Sequence, residues 1–362
     1  MKPFFSIVIP CCDVEPYVEE CLQSVLSQPF QDWECLICIE TSKDKTEEVI
    51  REKTAGDPRF RFFTGPRTGS CSESRNIGID NAQGEYIIFL DGDDTIADGC
   101  LERLHEKICA RPGADLYPCT IVAYTEGTDE REIRENYPPE SCPEEMTGIK
   151  ATLFTESRPV YSCPMLQLTV FRREFLVEHG LKCIRGLRRQ DSEFSPRALY
   201  LAKRVVPLHE PYYLYRIREN SVSTAAVKKG AGHFLKDWAI ILKSLIDFHF
   251  KVSREPGYDR SISRLWARRW LELLCYFWFD RKNIKSIPRS QRLETLKPVF
   301  SDGFDAFSAL LKNASRSKRI AGWWIKLFIS CPSMRWAVEQ YFLLYSGLAH
   351  LRSRKTQNQD QR

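Results

Sequence analysis

The chain has 362 residues, of which 43% are hydrophobic, so it can bury a large core and its length favours two domains over one. Its 53 Lys and Arg residues against 48 Asp and Glu give a net charge of +5, which is too weak to indicate nucleic-acid binding. The first apolar run is too short for a signal peptide, so we expect a cytoplasmic protein with reduced cysteines. Cys35 and Cys38 form a C-x-x-C pair, but in a strand they point to opposite faces, so we expect no zinc site.

Strand-like and helix-like segments alternate through the first hundred residues. The predicted strands are 4–10, 33–40, 59–63 and 85–90, and the predicted helices follow Asp13, span 42–53 and begin at Ser72. Asp13 is expected to cap the first helix, whose apolar residues recur with helical spacing from Val18 to Leu26. This alternation predicts βαβ units and an open parallel sheet.

Acidic residues follow the predicted strands at the edge where such sheets bind ligands. The strand ends in question are Pro10 to Asp13, Glu40 to Ser42 and Asp91 to Asp94. Because the carboxyl ends of parallel strands meet at one edge, we expect these three segments to converge.

The rest of the chain divides at about residue 225. Before it we expect a helix at 98–109, strands near 115–124, 165–172 and 211–216, a polar loop at 126–148 and a helix at 191–202. The predicted domains are therefore 1–225, which is catalytic, and 226–362, which is helical, basic and rich in aromatic residues.

The C-terminal region has no apolar run long enough to span a membrane, because charged residues interrupt its most apolar segment. Two interpretations remain for its basic, Trp-rich helices. They form a subdomain that packs through its aromatic residues, or they also rest on an anionic membrane. The second interpretation would use Lys318, Arg319, Trp323, Trp324 and Lys326.

The segment "IIFLDGDDT", residues 87–95, places three carboxylates at a strand end. Asp91 and Asp93 share a face about 6.5 Å apart and would repel by about 2–3 kcal/mol at an effective dielectric constant near 20. Protonation, water or a divalent cation would offset that repulsion, and an oxygen-rich site suits Mg²⁺ or Mn²⁺. The alternative is a plain turn in which Asp94 caps the next helix.

Two enzyme families contain segments that match this one. The motif D-x-D-x-T resembles that of haloacid-dehalogenase-like phosphatases, in which Asp91 would be the nucleophile and Asp93 the acid. In those enzymes the motif usually ends the first strand of the core, whereas here a β-α-β-α-β array precedes it. No convincing acidic pair for their metal follows it.

The second resemblance covers about 220 residues. Residues 5–50 and 70–94, followed by "FRREFL", "GLRRQDSEFSPRAL" and "YYLYRIRENSVS" in order, resemble family 2 glycosyltransferases. The resemblance implies an α/β GT-A fold, which is Rossmann-like, with a mostly parallel central sheet flanked by helices and here an α-helical C-terminal extension. It also implies a nucleotide-sugar donor, which we expect to be a UDP-sugar, and a saccharide or lipid-linked acceptor.

The resemblance assigns roles residue by residue. Asp91 and Asp93 fall on the D-x-D, which holds the ribose and, through Mn²⁺ or Mg²⁺, the diphosphate, and Asp94 is the adjacent candidate metal ligand. Asp191 matches the catalytic base of a direct, inverting displacement, although it is also suited to cap a helix. The implied nucleotide-sugar contacts, besides Asp91 and Asp93, are Pro10, Cys12, Glu40, Arg75, Asn76 and Arg218.

Four positions depart from the family pattern. Cys12 and Ile39 differ where the base is bound, Gln190 replaces the first acid of the pair, and Arg218 stands where His is frequent. Because these departures leave the D-x-D and Asp191 intact, we expect an active hexosyltransferase of surface-polysaccharide or lipid-linked glycan synthesis. We expect it in the cytoplasm or peripherally at the inner face of the cytoplasmic membrane. The alternatives are a non-catalytic family member that acts as a binding subunit and a dehalogenase-type phosphatase.

Overall fold

A computed structural model describes residues 2–155, 166–218, 234–300, 304–312 and 314–342 of the chain. The contacts divide the protein into two compact units, Met1–Glu219 and Asn220–Arg362. The first unit is a sheet structure with flanking helices, and the second is helical.

The first unit is built on a six-stranded sheet. Its parallel part consists of β1 (Phe5–Cys11), β2 (Trp33–Glu40), β3 (Phe60–Gly65) and β4 (Tyr86–Phe89), with β1 between β2 and β4. The prediction of parallel strands is thus confirmed. Two further strands, β6 (Leu116–Pro118) and β9 (Thr169–Arg172), extend the sheet beyond β4. Strand β9 pairs antiparallel with β4, and β6 pairs antiparallel with β9.

Helices cover both faces of this sheet. Ile7 and Ile9 belong to one hydrophobic core and Val8 to the other, as the two-residue repeat of a strand requires. The helices are α1 (Glu15–Leu26), α2 (Thr46–Lys53), α3 (Ser72–Asn81) and α4 (Cys100–Ala110). Helix α3 lies very close to the sheet, since a Cβ atom at Gly78 would come within 2.2 Å of the Val8 side chain. Any larger residue at Gly78 would push α3 away from β1.

A second, four-stranded sheet has the order β5 (Thr95–Ile96), β10 (Pro211–Ile217), β7 (Thr120–Thr125) and β8 (Arg131–Arg134). The predicted loop at 126–148 is partly wrong, because β8 pairs antiparallel with β7. The sequence hid this strand because its side chains are mostly exposed, so it lacks an alternating apolar pattern. Helices α5 (Gly148–Thr155), α6 (Arg173–Glu178) and α7 (Gln190–Leu201) complete the unit as described.

The predicted cap of α1 is also wrong. The helix begins at Glu15, and Asp13 adopts a left-handed backbone conformation with φ of 51°. Its carboxylate instead accepts hydrogen bonds from the Lys43 backbone N–H at 2.7 Å and from the Arg67 guanidinium. Asp13 therefore ties the end of β1 to the loop that follows β2.

The second unit contains α8 (Leu235–Val252), α9 (Ser261–Phe279), α10 (Arg281–Ser286), α11 (Arg289–Leu296), α12 (Asp305–Lys312) and α13 (Arg316–Ser330). Residues 335–342 are also helical. Among its described residues, the core contains four buried tryptophans, Trp238, Trp266, Trp270 and Trp278, so aromatic packing holds this unit together. Across the described parts of the chain, no helix combines the length and apolar character needed to cross a membrane.

Candidate active site

The acidic segment lies between the two sheets of the first unit. We call residues 91–94, which connect β4 to β5, the acidic loop. The loop lies against the end of β1, because a Cβ atom at Gly92 would come within 3.0 Å of Cys11 Sγ and 3.2 Å of the Pro10 carbonyl oxygen. Glycine at position 92 thus permits the close approach of the acidic loop to β1.

Asp91 is held by two side chains that come from different parts of the fold. Its Oδ1 accepts a hydrogen bond from Arg75 Nη2 on α3, and its Oδ2 accepts one from Gln167 Nε2, each at 2.6 Å. Arg75 is only 2% exposed. Burial opposes the charge of Arg75, yet the nearby Asp91 carboxylate keeps the pKa of Arg75 above its ordinary value. Both oxygens of Asp91 therefore already have cationic or amide donors.

Arg75 also connects the acidic loop to the start of α7. The Gln190 amide, oriented with its oxygen towards Arg75, accepts from Nη1 of that residue and donates to the Leu187 and Arg188 carbonyls at 2.9 Å. Gln190 is the first residue of α7, and Asp191 follows it directly. The contacts from Asp91 through Arg75 to Gln190 thus link the end of β4 to the position of the predicted base.

Helix α3 fixes the segment that leads into α7 through further polar contacts. Ser72 Oγ donates to the Leu187 carbonyl at 2.7 Å. The Asn76 amide donates to the Cys183 carbonyl at 2.9 Å and accepts from the Cys183 N–H at 2.8 Å. The predicted nucleotide contact of Asn76 is not supported by this geometry, because its side chain is buried and pairs with the backbone. Asn76 positions the segment before α7 instead.

Asp93 faces Arg218, which follows β10. Arg218 Nε and Nη2 donate to Asp93 Oδ2 at 3.1 and 2.7 Å, and the guanidinium lies over the Tyr17 ring at 4.7 Å. Burial and the charge of Asp91 raise the pKa of Asp93, and Arg218 acts in the opposite direction. The Asp93 side chain keeps 25% of its surface exposed, so this pair lies at the accessible part of the acidic loop.

Asp94 is directed into the protein. Its Oδ2 accepts from the Tyr213 hydroxyl at 2.6 Å and its Oδ1 from the Arg216 backbone N–H at 2.7 Å. Burial above all, and then the charges of Asp93 and Asp91, raise the pKa of Asp94 well above its usual range. Because β10 uses both oxygens and the residue is buried, Asp94 is suited to anchor the loop rather than to bind a metal, and we do not retain it as a ligand.

The predicted base-binding residues lie at the ends of β1 and β2. Glu40 is buried, and its two oxygens accept from the Thr68 N–H at 2.9 Å and the Thr68 hydroxyl at 2.6 Å. Cys12 Sγ lies 4.0 Å from the Thr41 carbonyl oxygen, and Pro10, the residue before the last in β1, has its carbonyl oxygen beside Gly92. The structure thus brings Pro10 and Cys12 to the predicted edge, while Glu40 shapes the loop around Thr68.

The residues of the acidic loop do not fit a bound Mg²⁺ or Mn²⁺. Such a cation is usually held by one or two carboxylates together with substrate phosphates. Here Asp91 and Asp94 each use both oxygens, and the Arg218 guanidinium already pairs with Asp93 Oδ2. Within the residues that the structure describes, no three His, Cys, Asp or Glu side chains form a group that could hold a metal ion. The predicted repulsion between Asp91 and Asp93 is offset by Arg75 and Arg218 instead.

Sequence reasoning missed four residues that build this site, namely Tyr17, Gln167, Tyr213 and Arg216. Tyr213 and Arg216 come from β10, and Arg216 Nε donates to the Asp93 carbonyl at 3.0 Å. The alternating pattern of "YYLYRIR" predicted the strand, but no local signal shows that it runs beside the acidic loop. Only the pairing of β10 with β5, directly after the loop, reveals it.

Comparisons with known proteins agree with this architecture. The profile described as glycosyl transferase family 2 matches residues 6–180. The chain is 28% identical over 240 residues to glycosyltransferase EpsJ of Bacillus subtilis, which is 65% of this chain and 67% of that protein. It is 22% identical over 288 residues to the GalNAc(5)-diNAcBac-PP-undecaprenol beta-1,3-glucosyltransferase of Campylobacter jejuni, covering 79% and 86% of the two chains.

A solved structure extends the likeness to the fold. Residues 1–349 of TarS from S. aureus, in complex with UDP-GlcNAc, superpose with a TM-score of 0.69 at 19% identity. The match covers 94% of this chain and 91% of the other. The sheet with its flanking helices is therefore a GT-A fold.

The profile match lies within the first unit and includes the acidic loop. The first unit is a glycosyl transferase family 2 domain, and the chain is a glycosyltransferase.

Proposed function

We propose that the protein transfers a hexose from a nucleoside-diphosphate sugar, with UDP as the nucleotide, to a hydroxyl of a saccharide or lipid-linked acceptor in cell-surface glycan synthesis. The observation that carries the proposal is the contact from Asp91 through Arg75 to Gln190, beside Asp191. It joins the strand end where the family binds its donor to the helix start where the base is expected.

The names of similar proteins support the choice of substrates. The TarS structure contains UDP-GlcNAc, and the Campylobacter relative is named for a polyprenyl-diphosphate-linked glycan. A further relative, 31% identical over 249 residues, is the minor teichoic acid biosynthesis protein GgaB of Bacillus subtilis, of which the match covers 26%. The first title thus names a UDP-sugar, and the other two names concern sugar transfer to a lipid-linked glycan and the synthesis of teichoic acid.

The proposed reaction is a single displacement with inversion. The acceptor oxygen attacks the anomeric carbon while its proton passes to the Asp191 carboxylate. The bond from the anomeric carbon to the diphosphate breaks, and its electron pair leaves with the nucleoside diphosphate. Because the family resemblance implies one base, Asp191, and no second catalytic carboxylate, direct attack is the simplest course.

The phosphatase alternative is not retained. Asp91 would have to be its nucleophile, but Arg75 and Gln167 bind both oxygens of that carboxylate. The GT-A fold and the family match also favour a glycosyltransferase over a phosphatase. A non-catalytic role is also disfavoured, since Gln190 preserves a link between the two parts of the site even though it is not acidic.

Substitution of the proposed base tests the function. Asp191→Asn should lower kcat by about 10²–10⁴-fold, because a positioned general base contributes that much, while UDP affinity stays nearly unchanged. Release of UDP from a panel of UDP-sugars, with saccharide and polyprenyl-linked acceptors, measures the rate. The anomeric configuration of the product tests inversion.

A matched control is Glu174→Gln, which neutralises another acid in the first turn of a helix, but in α6 rather than in α7. Its activity should equal that of the wild type. Full activity of Asp191→Asn, or a product that retains the donor's configuration, would contradict the mechanism.

We also propose that the second unit contacts an anionic membrane, through a smaller surface than the sequence suggested. Trp324 stacks on Tyr341 with ring centroids 5.0 Å apart, Lys318 pairs with Glu272 at 3.0 Å, and Lys326 donates to Ser308 at 2.6 Å. The first half of α13 still exposes a face with helical spacing, which consists of Arg316, Arg319, Ile320 and Trp323. A basic and apolar face of this kind suits anionic headgroups.

Sedimentation with vesicles tests this surface. The protein should bind phosphatidylglycerol vesicles more than phosphatidylcholine vesicles, and Arg319→Glu should weaken the difference. Arg254→Glu reverses the charge of another exposed arginine in the same unit and should leave binding unchanged. Equal effects of the two changes would reject α13 as the contact.

A further inference from the structure

Among the residues that the structure describes, three arginines contact the acidic loop, and they differ in how exposed they are. Arg75 is 2% exposed and bound to Asp91 and Gln190. Arg216 is 8% exposed, and its guanidinium faces the Asp93 carbonyl and Glu20. The side chain of Arg218 is 17% exposed, which makes it the most accessible of the three cations beside the carboxylates.

The position of Arg218 is set by the strand that precedes it. Tyr213 and the backbone of Arg216 fix β10 to Asp94, so the end of this strand lies beside the acidic loop. Residues 216 and 218 fall on the same side of an extended chain, and this directs Arg218 towards Asp93. Asp93 along one edge and the Tyr17 ring against its face then orient the guanidinium.

We infer that Arg218 is the cation that binds the donor's diphosphate, and that donor binding and transfer need no divalent metal. The inference rests on the proposed function. A guanidinium is planar and has N–H donors on more than one edge, so it can face a carboxylate on one edge and phosphate oxygens on another. Charge-assisted hydrogen bonds of this kind are among the strong ones.

Arg218 would act on the leaving group. When the bond from the anomeric carbon to the diphosphate breaks, the electron pair adds negative charge to the departing phosphate oxygen. The guanidinium stabilises that charge without giving up a proton, because arginine stays protonated at every working pH. The acceptor's proton passes to Asp191, so the arginine needs no acid or base role. Asp93 is then a positioning residue for Arg218 rather than a metal ligand.

Calorimetric titration of the full chain with UDP, in EDTA and in Mn²⁺, tests the inference. Wild-type affinity should be the same within about threefold in the two buffers, because the protein's own cation meets the diphosphate. Arg218→Ala should weaken UDP binding by about 30-fold or more in EDTA, and Arg218→Lys should restore part of the loss. Arg131→Ala removes an arginine that also stacks on a tyrosine, Tyr124, and should bind UDP normally.

Asp93→Asn separates the two accounts of the site. If Asp93 is a metal ligand, the substitution should abolish UDP binding that depends on Mn²⁺. If Asp93 only positions Arg218, UDP affinity should fall by less than about tenfold and should not respond to Mn²⁺. Thermal melting of each variant confirms that it is folded.

The outcomes distinguish this inference from the function on which it rests. UDP binding by the wild type only in Mn²⁺, or unchanged binding by Arg218→Ala in EDTA, would overturn the inference and leave the function standing. Failure of UDP, GDP and their sugars to bind in either buffer would overturn both.

Discussion

Two clusters of arginine and carboxylate side chains, one in each unit, use the same chemistry in different surroundings. The first is the acidic loop with Arg75 and Arg218. The second, which we call the buried triad, consists of Glu339, Arg289 and Arg292 in the helical unit. In the triad, Arg289 donates to both oxygens of Glu339, at 3.0 and 2.5 Å, and Arg292 donates to Oε1.

The two clusters differ in exposure. Within the triad, Glu339 is 5% and Arg292 1% exposed, so this pair is closed to solvent, whereas the side chain of Arg289 is 47% exposed. Asp93 and Arg218 keep 25% and 17% of their side-chain surfaces exposed. A fully enclosed pair can only join elements of the fold, whereas a partly exposed pair can exchange or share partners with a ligand. This difference separates a structural cluster from a candidate binding site.

The largest expected effect comes from breaking the buried triad. Glu339→Gln should lower the free energy of unfolding of the helical unit by about 3–5 kcal/mol, because it leaves the buried Arg292 charge without its carboxylate. Denaturant unfolding followed by tryptophan fluorescence measures the change. Glu145→Gln, at an exposed pair with Arg204, is the control and should leave the free energy of unfolding nearly unchanged. Similar losses for both variants would remove the distinction between enclosed and exposed pairs.

The helical unit also contains a buried imidazole, that of His249, whose burial is not offset by hydrogen bonds from the described residues. His249 lies among Trp266, Trp270 and Tyr258, and neither ring nitrogen has a hydrogen-bond partner in the described parts of the chain. Burial lowers the pKa of His249 to about 4. Its folded-state pKa is thus below that of the unfolded chain, and protons bind the unfolded state more strongly.

Acid should therefore destabilise the helical unit. The contribution of the neutral His249 to the free energy of unfolding is fully present above about pH 6.5, and about 3 kcal/mol of it is lost as the pH drops towards 4. His249→Phe should remove this part of the pH dependence, as measured by urea unfolding at pH values from 4 to 7. An unchanged pH profile in the variant would show that other groups cause the loss.

The smallest effect is expected at the accessible cluster. Asp93→Asn should change the free energy of unfolding by less than about 1 kcal/mol, since a partly exposed ion pair is screened by solvent. Chemical denaturation monitored by circular dichroism is sufficient to measure it. A loss as large as that of Glu339→Gln would mean that Asp93 serves the fold in the same way as the buried triad.

The sequence predicted the parts of this protein that depend on local pattern. The apolar runs of β1, β2 and β4 and the acidic residues after them gave the parallel sheet and its edge, and the aromatic character of the C-terminal region gave a helical unit. Partners distant in sequence could not be predicted. Gln167 reaches Asp91 and Tyr213 reaches Asp94 only because β9 and β10 return to the sheets, and long-range pairing leaves no local signal.

The same limit explains the errors at individual residues. Asp13 is of a residue type that often caps helices, but its carboxylate instead contacts Lys43 and Arg67. Asp94 is of a residue type that often binds metals, but its carboxylate is hydrogen-bonded to Tyr213 and Arg216, which lie on a strand more than a hundred residues later in the chain. Residue type limits which chemistry is available, and the tertiary partners decide which of those options is used.

The contact of Arg75 with both Asp91 and Gln190 has a consequence for how this site could change. One buried side chain sets the separation between the end of β4 and the start of α7 before any substrate arrives. Variation in the loops around this contact can then alter which substrates are bound without altering this separation. Arg75 therefore acts as a fixed spacer, around which substrate preference is free to diverge.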